Sequence, residues 1–313
     1  MAHTLAQARA WNATLKTARP ELTALFVGGT SGIGRSTAIK LAGSIAKPTI
    51  YIVGRNEKAG AQILEEMKAA NNNGSYSLIP ADVSDLRKVD TVCQDLKSKV
   101  KALDLLFLST GGITFSKQET DAKIDVNHIL RYYSRMRFVY NLLPTLEAAN
   151  SPRVVSILAG GKEINIEEDN LDLQKEFSFS ASNGYPTSMT SLAFDTLASE
   201  HPSVSFLHVF PGIVATPLMN KTIGSVLGTI VGFLAKPISI SMADSGEWQT
   251  RLSTSTDFPS KQDSTDASAV GYYMLNHDGK DSTNKALMEE LREKGFPAIV
   301  WKHTLATFDR ICA

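Results

Sequence analysis

One junction constrains the fold more than any other feature. The apolar run 22–27, LTALFV, passes without a spacer into GGTSGIG, and that loop passes directly into RSTAIKLAGSIA, residues 35–46, whose apolar residues have helical spacing. A β-branched and aromatic run ending in glycines reads as a buried strand, and the segment after it as a helix. The alternation then continues. Strands are predicted at 49–54, 76–83, 103–109, 153–158 and 204–212, and helices at 58–72, 85–100, 123–149 and 187–199. Strands separated by helices are joined by right-handed crossovers, which lay them parallel with helices on both faces. The predicted class is α/β: a doubly wound, Rossmann-like parallel sheet in a single domain over 22–313, preceded by an N-terminal helical extension over 1–21.

The rhythm breaks after Pro211. Residues 217–282 are rich in Gly, Ser and Thr around one apolar stretch. This segment is expected to form a substrate lid, apolar over 222–243, or a membrane-surface contact. Its most apolar part, 223–235, is shorter than the roughly 20 residues that span a bilayer. Helix is predicted again at 284–294, and AIVW, 298–301, as a last edge strand.

Composition removes several function classes. Hydrophobic residues make up 43 % of 313, enough for a large core. Lys+Arg and Asp+Glu are both 32, so there is no basic groove for nucleic acid. Cys93 and Cys312 form neither a disulfide framework nor a zinc spacing and suit a reducing compartment. The N-terminal twenty residues lack the apolar core of a secretory signal, so the expected location is cytoplasmic. Asn12-Ala13-Thr14 is a sequon by pattern and is expected to be fortuitous there.

The glycine loop carries the first functional reading. A dinucleotide pyrophosphate sits well at a helix N-terminus, where free N–H groups and the macrodipole favour an anion. Glycines permit the tight turn and the close approach of backbone to phosphate. Gly28, Thr30, Ser31, Gly32, Ile33 and Gly34 are the expected binding positions. Their spacing, G-x-x-x-G-x-G, resembles that of the short-chain dehydrogenase/reductase family, and other phrases extend the likeness over about 22–220. Asp82-Val83 stands where that family contacts adenine. Ser109, Thr110 and Gly111, within STGGI, stand where it lines the cofactor after the fourth strand. Pro211-Gly212-x-Val214-x-Thr216 matches its nicotinamide loop. The resemblance implies a nicotinamide cofactor and a homodimer through the helices at 123–149 and 187–199. The second strand ends Gly54-Arg55-Asn56, without the acid that would take a ribose 2′-hydroxyl. Arg55, with Asn56 beside it, fits a 2′-phosphate instead, so NADP(H) is expected, with Arg35 a further candidate.

The family's reaction set is incomplete. It uses a tyrosine, a lysine four residues later, a serine and an asparagine. Aligning YPTSM puts the tyrosine at Tyr185 and the lysine position at Met189. Counting back from Leu197-Ala198 puts the pair at Asn183 and Thr187. Neither register holds a lysine, and the serine position falls on Ala159. Without the lysine, Tyr185 is a weaker proton donor. The asparagine is Asn127 by local pattern, or its position is held by Arg131 when counted back from NLLP; an arginine there would hold an anionic oxygen or polarise a carbonyl. The charged loop 162–169 is a further source of an acid. The expected function is NADPH-dependent reduction of a lipophilic ketone, enone or imine in fungal-type secondary metabolism. The alternatives are a non-redox isomerase or cyclase that keeps NADP as a structural piece, and a silent binding subunit, against which the retained cofactor loops argue.

Overall fold

The computed structural model describes residues 2–112, 116–175, 178–215 and 239–313. Its strands are β1 (Glu21–Val27), β2 (Lys47–Gly54), β3 (Ser75–Pro80), β4 (Leu105–Leu108), β5 (Arg153–Ile157), β6 (Ser205–Phe210) and β7 (Tyr272–Asn276). They form one parallel sheet in the order β3-β2-β1-β4-β5-β6-β7. Period-two alternation divides the core. Leu25, Val27, Leu106 and Leu108 enter one apolar cluster, while Ala24, Phe26, Leu105 and Phe107 enter the other. The chain winds outward from β1 to β3 and then returns to place β4 on the other side of β1. The loops that follow β1 and β4 therefore part, and the crevice between them is where such sheets bind ligands.

The helices are α1 (Leu5–Ala18), α2 (Gly32–Ser44), α3 (Glu57–Ala70), α4 (Leu86–Lys99), α5 (Val126–His128), α6 (Ser134–Glu147), α7 (Phe179–Glu200), α8 (Met242–Thr254), α9 (Lys285–Glu293) and α10 (Phe296–Cys312). A single π turn, Ile129–Tyr133, joins α5 to α6. The N-terminal extension is tied to α8. Trp11 Nε1 donates to Thr254 Oγ1 at 3.0 Å, and Asn12 Nδ2 donates to the Glu247 carbonyl at 2.9 Å and to its carboxylate at 2.7 Å. Buried and hydrogen-bonded, Asn12 is no glycosylation acceptor in the folded protein.

Three expectations are corrected. The strand at 298–301 is helix, because Gly295 in the left-handed region and Pro297 in the first turn start α10, and its buried residues recur at helical spacing as Val300, Trp301, Thr304 and Phe308. The edge strand is β7 instead, inside the segment assigned wholly to a lid, which also contains α8. Helix α7 begins at Phe179 behind the N-cap Ser178, so Pro186 lies inside it and Tyr185 does not open it.

One more contact bears on the helices expected to pair two copies. Helix α10 of the same chain lies over them. Trp301 and Phe308 stack near Tyr140, the Arg137 guanidinium sits 5.0 Å over the Phe308 ring, and Tyr132 and Thr304 share a hydrogen bond of 2.5 Å. A second copy pairing through these helices would have to meet α10 as well. Light scattering at micromolar concentration is expected to give the mass of one chain; a dimer mass would contradict this reading of α10.

Candidate active site

The glycine loop turns at the C-terminal end of β1. Gly28 (φ 89°) and Gly32 (φ 59°) lie in the region that favours glycine. Gly34 tolerates no side chain: a Cβ there would lie 2.5 Å from Ser109 Oγ and 2.7 Å from the Gly28 carbonyl oxygen. Thr30 packs against Gly54, where a Cβ would meet its Cγ2 at 2.5 Å. Ser31 is the N-cap of α2, and its side chain makes no capping bond. The first-turn N–H groups of α2, at Gly32, Ile33 and Gly34, are left for an incoming anion. This loop, shaped around missing side chains and open donors, fits a dinucleotide pyrophosphate.

Arg55 and Asp82 meet at the ends of β2 and β3, with Arg55 Nη1 3.5 Å from Asp82 Oδ2. Partial burial raises the Asp82 pKa, but hydrogen bonds from Ser84 and the charge of Arg55 outweigh it and hold the carboxyl below its ordinary value. Arg55 remains largely exposed and reachable by a phosphate. Two neighbours are committed elsewhere: Asn56 caps α3 by accepting from Ala59 N–H at 2.9 Å, and Arg35 pairs with Glu66. Val83 contributes backbone only, since its side chain lies in the core. At the far side of the crevice Pro211 and Gly212 (φ 75°) follow β6, and Val214 bridges to Ile240. Thr216 and most of the apolar lid stretch 222–243 lie outside the described residues, as does Ile113.

The reacting end is organised by the π turn. There the Ser134 N–H bonds to the Ile129 carbonyl, which leaves the Leu130 carbonyl to accept from Thr110 Oγ1 at 3.0 Å. This docks the helix on the loop after β4 and lays Arg131 across Gly111. A Cβ at Gly111 (φ 127°) would lie 2.6 Å from Arg131 Cγ. Arg131 is only 9 % exposed and donates through Nη1 to Asn183 Oδ1. Thr187, one turn on along α7, donates to the Asn183 carbonyl at 2.9 Å. The register counted back from Leu197-Ala198 is therefore the one that faces Arg131.

Two expected catalytic residues have other partners. Tyr185 lies two residues from Asn183, on another face of α7, and is buried in the apolar cluster; its hydroxyl accepts from Glu167 N–H at 3.2 Å. Met189 is buried in the same cluster. Asn127 Oδ1 accepts from Gly112 N–H at 3.1 Å, so this side chain holds the loop after β4.

Beneath Arg131 lies a polar layer. Arg135 is 2 % exposed and donates to Ser156 Oγ at 2.7 Å, to the Ile157 carbonyl at 2.8 Å and to the Thr110 carbonyl. Ser156 neighbours His208 across the β5–β6 ladder. Ser191 donates its single hydroxyl proton to Glu163 Oε1 at 2.7 Å. His208 Nδ1, 2.7 Å from Ser191 Oγ, must then be the protonated nitrogen, which leaves Nε2 to accept from Ala159 N–H at 3.3 Å. Glu163 also accepts from Gly161 N–H at 3.0 Å, so the turn from Ala159 to Gly161 is held at both ends. Burial raises the Glu163 pKa. Neither Arg135 nor His208 stands out in the sequence. The available signal was the spacing of Arg131 and Arg135, four apart in an aromatic helix.

Two neutral histidines give a pH dependence. Burial lowers the His208 pKa to about 3, helped by Arg135 and Arg131, and lowers that of His128 to about 4 against the pull of Asp172. Unfolded histidine titrates near 6.5, so below that pH the unfolded chain takes protons the folded one refuses. Stability is full above pH 6.5 and falls as pH drops toward 4. Each histidine is expected to cost about 2 kcal/mol by pH 5. Urea unfolding at pH 7 and pH 5 checks this, and His208→Gln should remove part of the difference.

Comparison with known proteins agrees with this architecture. A profile of the short chain dehydrogenase family matches residues 22–225. "Oxidoreductase andH" of Emericella variicolor is 41 % identical over 327 residues, covering 98 % of this chain and 97 % of that one. "Oxidoreductase AN1596" of Emericella nidulans is 39 % identical over 323 residues, covering 96 % and 97 %. Among solved structures, the Pseudomonas aeruginosa RhlG/NADP active-site complex superposes with a TM-score of 0.62 at 18 % identity, covering 84 % of this chain and 96 % of that one. The chain belongs to the short-chain dehydrogenase family. It is an oxidoreductase, with a nicotinamide cofactor. No described helix is long and apolar enough to cross a membrane.

Proposed function

We propose that the protein is an NADPH-dependent reductase of a lipophilic ketone, enone or imine, in which Arg131 holds the reacting atom. The observation that carries this is the glycine-loop turn and the exposed Arg55 on one side of the crevice, with the buried Arg131 across Gly111 on the other. The full-length similarity to two fungal oxidoreductases supports it, and the apolar run 223–235 supports a lipophilic substrate. The residues to hold the dinucleotide are the α2 N-terminus with Gly28 and Gly34 at the pyrophosphate, and Arg55 at the 2′-phosphate. Ser109 and Thr110 line the crevice, and Gly212 closes the nicotinamide end. When bound, the cofactor supplies a hydride. Arg131 orients the substrate's polar atom and stabilises the negative charge that develops on it, which lessens the need for a strong acid. Asn183 positions Arg131, and Arg135 holds the floor of the site.

Arg55 gives the first test. NADPH is expected to bind at least about tenfold tighter than NADH, and Arg55→Asp to abolish the preference, a change of about 1.4 kcal/mol or more. Equal affinities in titrations of the unaltered protein would contradict it. Hydride chemistry is tested separately, with NADPH deuterated on the transferred position and a panel of apolar ketones, enones and imines. Label in the product supports reduction. Turnover of a substrate without label transfer would favour the isomerase or cyclase reading, which the missing tyrosine–lysine pair motivates.

A further inference from the structure

We infer that the substrate is a conjugated enone whose oxygen becomes an enolate at the Arg131–Arg135 pair as hydride adds to its β-carbon; this rests on the reading of the same cleft as the reductase site. The first observation is a charge imbalance. Both guanidinium groups are nine-tenths or more buried, and neither is hydrogen-bonded to a described carboxylate. Arg135 has only neutral acceptors: the carbonyls of Leu130, Thr110 and Ile157 and the Ser156 hydroxyl. Arg131 uses one nitrogen on Asn183, which leaves donors of its fork unassigned beside Gly111. The nearby carboxylate, Asp125, raises the Arg131 pKa through its charge alone, against the larger effect of burial, while its oxygens accept from the N–H groups of Gln118, Asn127 and His128. His128 and His208 are neutral, and Glu163 is engaged with Ser191 and Gly161.

The second observation is a contrast within the same molecule. Arg153 is also buried, meets only carbonyls and feels the like charge of Arg19, but the Leu252 carbonyl it donates to lies in the last turn of α8, where the helix dipole is negative, and Asp257 opposes Arg19. Among the described residues Arg135 donates to no helix C-terminus and no anion; the charge acting on it is the like charge of Arg131. Two buried cations in one site are costly unless an anion joins them, since desolvated charge needs a partner. A neutral carbonyl gives a dipole; an enolate oxygen gives a charge, and a guanidinium fork suits it. The site thus selects for an oxygen that becomes anionic as the hydride arrives.

The test uses two probes on similar rings: dimedone, a cyclic β-diketone ionised at neutral pH, and isophorone, a neutral enone. Each is titrated calorimetrically into the full-length protein with and without NADPH. Dimedone is expected to bind at least about tenfold tighter, with affinity falling as salt rises. Arg131→Gln should abolish the preference. Asn183→Asp, which keeps the arginine but sets a carboxylate against it, should do the same, so the inference stays testable if one variant fails to fold. Equal binding, tighter isophorone binding, no binding of either probe, or a preference that survives in a folded variant would overturn it. NADPH binding is read by its fluorescence in the same samples. Failure there would sink the reductase reading, while the probe preference of the cofactor-free protein would still decide this inference.

Discussion

Gly34→Val should weaken NADPH binding by about 100-fold or more while leaving the protein folded. A Cβ at Gly34 would come within 2.5 Å of Ser109 Oγ and 2.7 Å of the Gly28 carbonyl oxygen. The serine can rotate away, but the carbonyl belongs to the turn whose shape makes the phosphate site. Relief requires the loop to open, and opening moves the α2 N–H groups off the anion they are to hold. Valine makes this worse than alanine, because its second γ-carbon forbids most rotamers in a helix. Gly43→Ala is the control in the same helix, where the added carbon would sit 3.7 Å from Ala70 Cβ in ordinary contact. It should bind cofactor normally and gain slightly in helix stability. A folded Gly34→Val protein with unchanged NADPH affinity would show that the cofactor does not use this turn.

How much of the fold could be read depended on whether periodicity was the deciding force. The sheet from β1 to β6 was legible because buried parallel strands are near-continuous apolar runs, and the crossover helices repeat at 3.6. The C-terminal third was not. In AIVW the β-branched and aromatic residues satisfy strand propensity, yet Gly295 and Pro297 start a helix whose apolar face meets Tyr132 and Tyr140. Tertiary contact overrode propensity there. Helix α8 was hidden by a composition of Ser, Thr and Gly; what makes it helical is its packing against α1 and α2, with Trp11 and Asn12 supplying long-range hydrogen bonds.

The site divides the same way. The glycine loop has a local signal, since its function follows from backbone geometry that only glycine allows. The reacting end has none, because it is assembled from a π turn, a strand end and a helix far apart in sequence. Two registers for α7 were open, and sequence could not choose between them. The hydrogen bond of Arg131 to Asn183 favours the one that puts Tyr185 on another face. The helix predicted from 187 starts earlier because the Ser178 cap sets its first turn and Pro186, a residue more common in a first turn, lies inside it.

Arg131→Met should lower turnover by about 100-fold or more, whereas Tyr185→Phe should lower it by no more than about three-fold. The arginine lies across Gly111 at the mouth of the crevice, has donors left for a ligand, and is shielded from water. Charge stabilisation in such a site is worth several kcal/mol, because the donors need no reorganisation as the charge develops. The tyrosine hydroxyl already accepts from Glu167 N–H, so its removal acts on the loop and on stability, at about 1 kcal/mol. Both variants are compared by single-turnover oxidation of NADPH with one substrate, so that slow product release does not mask the chemical step. Arg131→Lys keeps the charge but loses the fork and should recover only part of the rate. If Tyr185→Phe carries the larger loss in a folded protein, the hydroxyl must leave Glu167 during the reaction, and α7 would have to act in the YPTSM register rather than the one seen here. If Arg131→Met is silent, the reacting oxygen does not sit at the π turn, and Glu163, the buried acid of the 162–169 loop, becomes the residue to replace next.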